Sequence, residues 1–149
     1  MTAGPNDALW QAARDSFASS DIESLGRFLT ERGAPDVTEE YPQSSERFSG
    51  RDRIVEMNQS YPAATGTRPT FTLREVRTDG DLAVVEGTVD YGDGTAVSYV
   101  GIVQASNGRV TRMTEYFADR FRTFVSQLYP PCMLRWPTDS ANRPSSGPV

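Results

Sequence analysis

Glu115 and Tyr41 are the side chains whose type and setting suit proton chemistry. Glu115 stands in the run Met113-Thr114-Glu115-Tyr116-Phe117, where alternation puts it on one side of a strand with Met113 and Phe117. A carboxyl held among apolar neighbours keeps its proton to higher pH and can act as general acid or base near neutrality. The plainer role for Glu115 is an ion pair with an arginine at a fraying strand end. Tyr41, in Glu40-Tyr41-Pro42, either gives its hydroxyl to a ligand carbonyl or packs as an aromatic with the hydroxyl at the rim. Composition removes other chemistries. There is no His, which excludes Ser-His-Asp and Cys-His nucleophiles and the commonest transition-metal ligand. All 15 basic residues are Arg, so no Lys can form a Schiff base. Cys132 is the single cysteine and reads as a small packing residue, not a nucleophile. With no Gly-rich phosphate loop and no ligand cluster, neither a cofactor nor a metal is expected.

These residues sit in a chain of 149 with a formal net charge of -5, long enough for one domain with a real core. The acidic balance and the lack of a basic stripe argue against nucleic acid and against an anionic lipid surface. No apolar run approaches membrane-spanning length and Met1 to Pro5 lacks a signal-peptide pattern, so the cytoplasm is the default location.

The spacing of Leu9, Trp10, Ala13 and Phe17 predicts a first helix capped by Asp7. Ser20 and Glu23 have capping-box spacing before a second helix marked by Ile22, Leu25, Phe28 and Leu29, with Gly33 and Pro35 ending it. A short strand is expected over 37–41, with Pro42 demoting it to an edge. Ser49 and Asp52 resemble a cap for a third helix carrying Ile54, Met57 and Tyr61, and residues 62–69 read as a loop. Asp79-Gly80, Asp93-Gly94 and Asn107-Gly108 each fit a two-residue hairpin, giving a meander over 69–78, 81–92, 95–106 and 109–118. Phe121, Phe124, Val125 and Leu128 suggest a short helix, and residues 137–149 a mobile tail after a domain spanning 6–136.

Two-residue turns pair Thr78 with Asp81, Thr88 with Tyr99 and Val100 with Glu115. One face then collects Val76, Ala83, Val85, Gly87, Val89, Ser98, Val100, Ile102, Met113, Glu115 and Phe117. The other collects Phe71, Leu73, Leu82, Val84, Glu86, Thr88, Tyr99, Arg112, Thr114 and Tyr116. The first is the smaller and more apolar, so it is expected on the concave, helix-covered side. With helix residues Trp10, Phe17 and Met57, it gives the expected pocket lining: Val85, Val89, Val100, Ile102, Met113 and Phe117. Glu86 and Arg112, on the convex side, are expected to pair. Glu40 alternates with Tyr41 and should point away from the pocket. The mixed aromatic and charged convex face suits a homodimer interface.

The order helix, helix, strand, helix, meander resembles the nuclear transport factor 2-like superfamily, in particular its SnoaL-like branch. The resemblance covers about residues 10–121 and is carried by EEYPQSSERFSG (39–50), VVEGTVDY (84–91) and GRVTRMTEYF (108–117). It implies an α+β fold in which a cone-shaped, strongly curved antiparallel sheet wraps around about three N-terminal helices. The ketosteroid isomerases of that superfamily place a catalytic Asp where Tyr41 stands, a protonated Asp at the position counted here as Val100, and a Tyr on the first helix near Ala13. All three roles are missing, which argues against that chemistry. The Asp-Arg-Asp set of the epoxide hydrolase members finds no match beside Arg74 or Arg112. The resemblance leaves three functions open. One is binding of a small hydrophobic molecule in an apolar pocket without turnover. The second is a cofactor-independent isomerase, cyclase or hydrolase with Glu115 as acid/base and Tyr41 as donor. The third is a dimeric protein-interaction module.

Overall fold

The computed structural model describes residues 3–120, so the helix expected over 121–128, Cys132 and the 137–149 tail lie outside the described residues. Three helices, α1 (Asp7–Ala18), α2 (Ile22–Arg32) and α3 (Arg51–Thr65), accompany six strands. The strands are β1 (Gly33–Tyr41), β2 (Glu46–Ser49), β3 (Thr70–Asp79), β4 (Leu82–Asp90), β5 (Ala96–Ser106) and β6 (Arg109–Asp119). They form one sheet in the order β2-β1-β6-β5-β4-β3. The fold is the α+β, helix-on-sheet architecture the sequence points to. The sheet is mixed rather than wholly antiparallel, because β1 runs parallel to β6. Pro42 does not make β1 an edge: it falls just past the strand, and β2 takes the edge instead.

Helix starts differ from the expected caps in instructive ways. Asp21, not Ser20, caps α2; its carboxylate accepts from the Ser24 amide at 2.5 Å, while Ser20 takes a positive φ of 69° in the tight link from α1. Asn6 precedes α1 and is buried, and it works across the fold. Its amide donates to Asp81 Oδ1 at 2.6 Å and its carbonyl accepts from the Gly108 amide at 2.8 Å, tying the helix start to two hairpins. Gly50, with φ 97°, stands at the start of α3 in place of a Ser49 cap. That helix continues through Pro62 to Thr65, over residues expected to be loop; Gly66, left-handed at φ 71°, ends it.

Strand register decides what faces the helices. At Asn107-Gly108 the two-residue turn forms as expected, with φ of 50° and 73° and Ser106 opposite Arg109. The first hairpin turns on Gly80-Asp81, one step later than expected, with Asp79 opposite Leu82. The second is no two-residue turn. Residues 91–95 form a five-residue loop closed by the Tyr91 amide on the Thr95 carbonyl, and Thr88 pairs with Ser98 instead of Tyr99. That single step turns β5 over: Val97, Tyr99, Gly101, Val103 and Ala105 are buried, whereas Val100 faces away. Bulges supply two further steps. An extra residue at Arg74 swings Phe71 and Leu73 onto the helix side, opposite Val89 and Gly87, against the expected assignment to the other face. An extra residue at Thr111 offsets the step made by the 91–95 loop, so Met113, Glu115 and Phe117 still look inward, and Glu115 opposes Gly101 rather than Val100. On the outer face Arg112 binds Glu40 at 2.6 Å and Glu86 lies 4.0 Å from Arg74, so the expected Glu86–Arg112 pair does not form. Glu40 points away from the helices, as its alternation with Tyr41 requires, and also holds Arg47 at 2.5 Å.

The core lies between the helices and this inner face. Leu9, Trp10, Ala13, Phe28, Leu29 and Ile54 meet Val37, Ala83, Val85, Val103, Val110 and Met113. Among the described residues, no helix is long and apolar enough to cross a membrane.

Candidate functional site

Where the packed core stops, the inner face of the sheet opens into a cavity of about 560 Å³. Ser16, Phe17, Asp21, Ile22 and Leu25 border it from the α1–α2 corner, and Met57, Asn58 and Tyr61 from α3. Glu39 and Tyr41 of β1, Phe71 of β3, Val89 of β4, Tyr99 of β5 and Glu115 and Phe117 of β6 form the sheet wall, with Phe48 and Tyr91 nearer its ends. The wall is aromatic almost throughout. Phe17 meets Phe71 at 5.2 Å between ring centres, Phe71 meets Tyr99 edge-on at 5.2 Å, Tyr99 meets Phe117 at 5.3 Å, and Phe117 stacks on Tyr41 at 6.1 Å.

Four polar groups converge inside this belt. Glu39 and Glu115 are 1% and 4% exposed, depths at which an unpaired carboxylate is costly. The Tyr99 hydroxyl donates to Glu115 Oε1 at 2.5 Å. Tyr41, on the same face of β1 as Glu39, bears on both carboxyls through its hydroxyl. Burial, reinforced by the neighbouring charge of Glu115, pushes Glu39 up to about 9. Burial also raises Glu115, but there the hydroxyls of Tyr99 and Tyr41 and the acid proton of Glu39 favour the charged form. The two carboxyls therefore titrate as one coupled unit, in which the surrounding donors favour the charged form of Glu115 over that of Glu39. Both tyrosines are pushed up by burial and by the adjacent carboxyls, so they stay neutral donors. Among the described residues Glu39 Oε2 and Asn58 Nδ2 are buried without a hydrogen-bond partner.

Of the residues expected to line a pocket, Phe17, Tyr41, Met57, Val89, Glu115 and Phe117 do so. Trp10, Val85 and Met113 instead lie in the sealed core; Trp10 packs helix to sheet and donates Nε1–H to the Gly80 carbonyl at 3.0 Å. Val100 and Ile102 are on the opposite face, turned out by the longer 91–95 loop. The same correction places Tyr99, not Val100, on the wall, so the meander does supply a hydrogen-bond donor there. Sequence reasoning misses Glu39, Tyr99 and Asn58. Parity alone could have found Glu39, since Tyr41 facing inward requires its neighbour two residues back to do the same. Asn58 follows from α3, one turn past Ile54.

Tyr99 needs Gly101 beside it. A Cβ at that position would overlap the phenol oxygen and meet Cζ at 2.9 Å. Gly101→Ala is expected to push the ring off Glu115 and destabilise the fold by ~1–3 kcal/mol, read by chemical denaturation. A variant as stable as the parent would show that the ring has room to move.

Among solved structures, the chain is similar to an NTF-2 like protein of unknown function from Burkholderia xenovorans LB400. The identity is 26% and the TM-score 0.63, covering 80% of this chain and 91% of that one. It is similar to a candidate ketosteroid isomerase from Kribbella flavida DSM 17836 at 26% identity and TM-score 0.64, covering 77% and 78%. A candidate SnoaL-like polyketide cyclase from Jannaschia sp. CCS1 shares the fold at 15% identity and TM-score 0.63, covering 78% and 90%. No curated protein matches. The SnoaL-like domain family matches residues 10–113, spanning both the helices that border the cavity and most of the sheet beneath it. With that match over most of its length, and with NTF2-like neighbours in structure, this chain belongs to the SnoaL-like domain family.

Proposed function

We propose that the cavity binds a small, largely apolar molecule and that the Glu39–Glu115 pair moves a proton on it, without a cofactor. The coupled pair of buried carboxyls in the wall of an aromatic cavity carries this reading. Glu115, whose charged form the Tyr99 hydroxyl favours, is the base. It takes a proton from an acidic carbon beside a carbonyl. Tyr41 or the protonated Glu39 donates to the oxygen as negative charge develops there. The absence of an Asp before Pro42 then marks a different base position, not an empty site. Apolar walls suit a polycyclic or terpenoid carbonyl compound. A panel of such compounds incubated with the protein in D2O tests this even while the natural substrate is unidentified. Those that bind are expected to gain deuterium beside the carbonyl, read by mass spectrometry. Tight binding with no exchange would leave a binding protein and end the catalytic reading.

A homodimer is a second part of the proposal. Leu82, Val100 and Tyr116 are 39%, 37% and 39% exposed on the outer face of the sheet, where Val100 lies opposite Tyr116. Large apolar side chains gathered on an uncovered sheet face favour burial against a second copy. Analytical ultracentrifugation is expected to show a dimer at micromolar concentration and a monomer for Tyr116→Arg; a monomeric parent would refute this.

A further inference from the structure

Apart from its tyrosines, the ionisable side chains of the cavity wall are all acidic. Asp21, Glu39, Glu46 and Glu115 border the space, and no arginine does among the described residues. Arginines in neighbouring segments are engaged outside it, Arg68 with Glu23 at 2.6 Å among them. Arg27 lies 4.0 Å from Asp21, Arg47 is held by Glu40, and Arg53 sits over the Phe48 ring at 6.0 Å to its centre. Much of the remaining wall is π surface from Phe17, Phe71, Tyr91, Tyr99 and Phe117, whose ring faces attract positive charge, alongside the aliphatic Ile22, Leu25 and Val89.

From this we infer that the carbonyl compound proposed above also carries an amine or ammonium group, seated with its cationic nitrogen toward the acidic wall at Glu39 and Glu115 and its apolar body along the aromatic belt. The inference rests on the cavity being a binding site and adds the ligand's charge. Glu39 Oε2 supports it independently. It is a carboxyl oxygen on a side chain only 1% exposed, its residue borders the cavity, and no group among the described residues stands in hydrogen-bonding geometry to it, although Tyr41, Asn58 and Glu115 lie close to the carboxyl. An N–H donor, or the positive field of a quaternary nitrogen, would satisfy it. A ligand carboxylate or phosphate would meet two carboxyls and no counter-charge, and the neutral donors of Asn58, Tyr41 and Tyr99 would have to offset its desolvation without a cation. A neutral hydrocarbon fits the belt but leaves the carboxyls as they are.

The test uses the full chain and three probes of similar size, followed by isothermal titration calorimetry at pH 7. They are benzyltrimethylammonium, its uncharged isostere neopentylbenzene, and 3-phenylpropanoate. The ammonium probe is expected to bind at least ~10-fold more tightly than the isostere, with no detectable binding of the anion. In Glu115→Gln and in Glu39→Gln/Glu115→Gln the ammonium preference should fall to within ~3-fold, while the hydrocarbon binds as before and so reports an intact cavity. Equal binding of ammonium and hydrocarbon to the parent, or binding of the anion, would overturn the charge inference and leave the apolar cavity standing. If none of the three bound, the binding-site reading itself would fall with it.

Discussion

Glu115→Gln is expected to slow proton exchange into a bound carbonyl compound by ~10²–10⁴-fold while leaving its affinity within a few-fold of the parent. The substitution is nearly isosteric, and the Gln carbonyl can still accept from the Tyr99 hydroxyl that now lies 2.5 Å from Oε1. What disappears is the lone pair basic enough to take a proton. Because the variant also removes a buried ionisable group, its stability should not drop, which separates a chemical role from a structural one. A companion change gives the sign of the electrostatics. The Tyr99 hydroxyl favours ionised Glu115. Tyr99→Phe should therefore raise the pKa of the base and move the acidic limb of the rate profile to higher pH. Deuterium exchange in Glu115→Gln at the parental rate would remove Glu115 from the reaction, and an unmoved limb in Tyr99→Phe would remove the 2.5 Å contact as a tuning element.

The sequence carried the helices and the meander because their signals are local: apolar residues at helical spacing, and glycines where φ must be positive. It carried the face map less well, because register depends on how many residues a turn consumes. Asp90-Tyr91-Gly92-Asp93-Gly94 contains two glycines that both adopt positive φ, 77° and 90°, and only a longer loop uses both. Reading Asp93-Gly94 as a two-residue turn sends Val100 inward and Tyr99 outward. The bulge at Thr111 then returns β6 to its expected face, so Glu115 comes out on the correct side through two steps that cancel. Bulges have no sharp sequence signature here, since Arg74 and Thr111 are ordinary strand residues. The parallel pairing of β1 with β6 is a long-range contact with no local mark. It brings Glu39 opposite Met113, and so beside Glu115. The carboxyl pair therefore had to be seen in three dimensions, although its two members could each be placed on an inward face from alternation alone.

That pair should also leave its mark on stability, as a fall from about pH 5 towards pH 9. The folded protein keeps a proton on Glu39 up to about 9, whereas the unfolded chain releases it near 4.5. Between these limits the native state binds more protons than the unfolded state, so raising the pH destabilises the fold. One proton corresponds to about 1.4 kcal/mol per pH unit, or on the order of 4 kcal/mol between pH 5 and pH 8. Below pH 4.5 both states are protonated and the contribution is complete. The opposite trend comes from Asp21, Glu40, Glu75 and Asp93. Hydrogen bonds and arginines hold their pKa values down, so their stabilisation is lost as the pH falls through those lowered values. A maximum near pH 5 follows. Urea denaturation of the parent and of Glu39→Gln at pH 5, 6.5 and 8 separates the terms. The variant cannot ionise at this position, so its profile should flatten and it should exceed the parent at pH 8 by roughly 2–4 kcal/mol. A parent as stable at pH 8 as at pH 5 would mean that Glu39 is not holding the extra proton. Such a buried acid lowers stability where the protein would otherwise gain it, which is the pattern expected of a group kept for chemistry. The same proton serves the reaction as the acid. The pH at which stability stops falling and the basic limb of the exchange rate should therefore coincide.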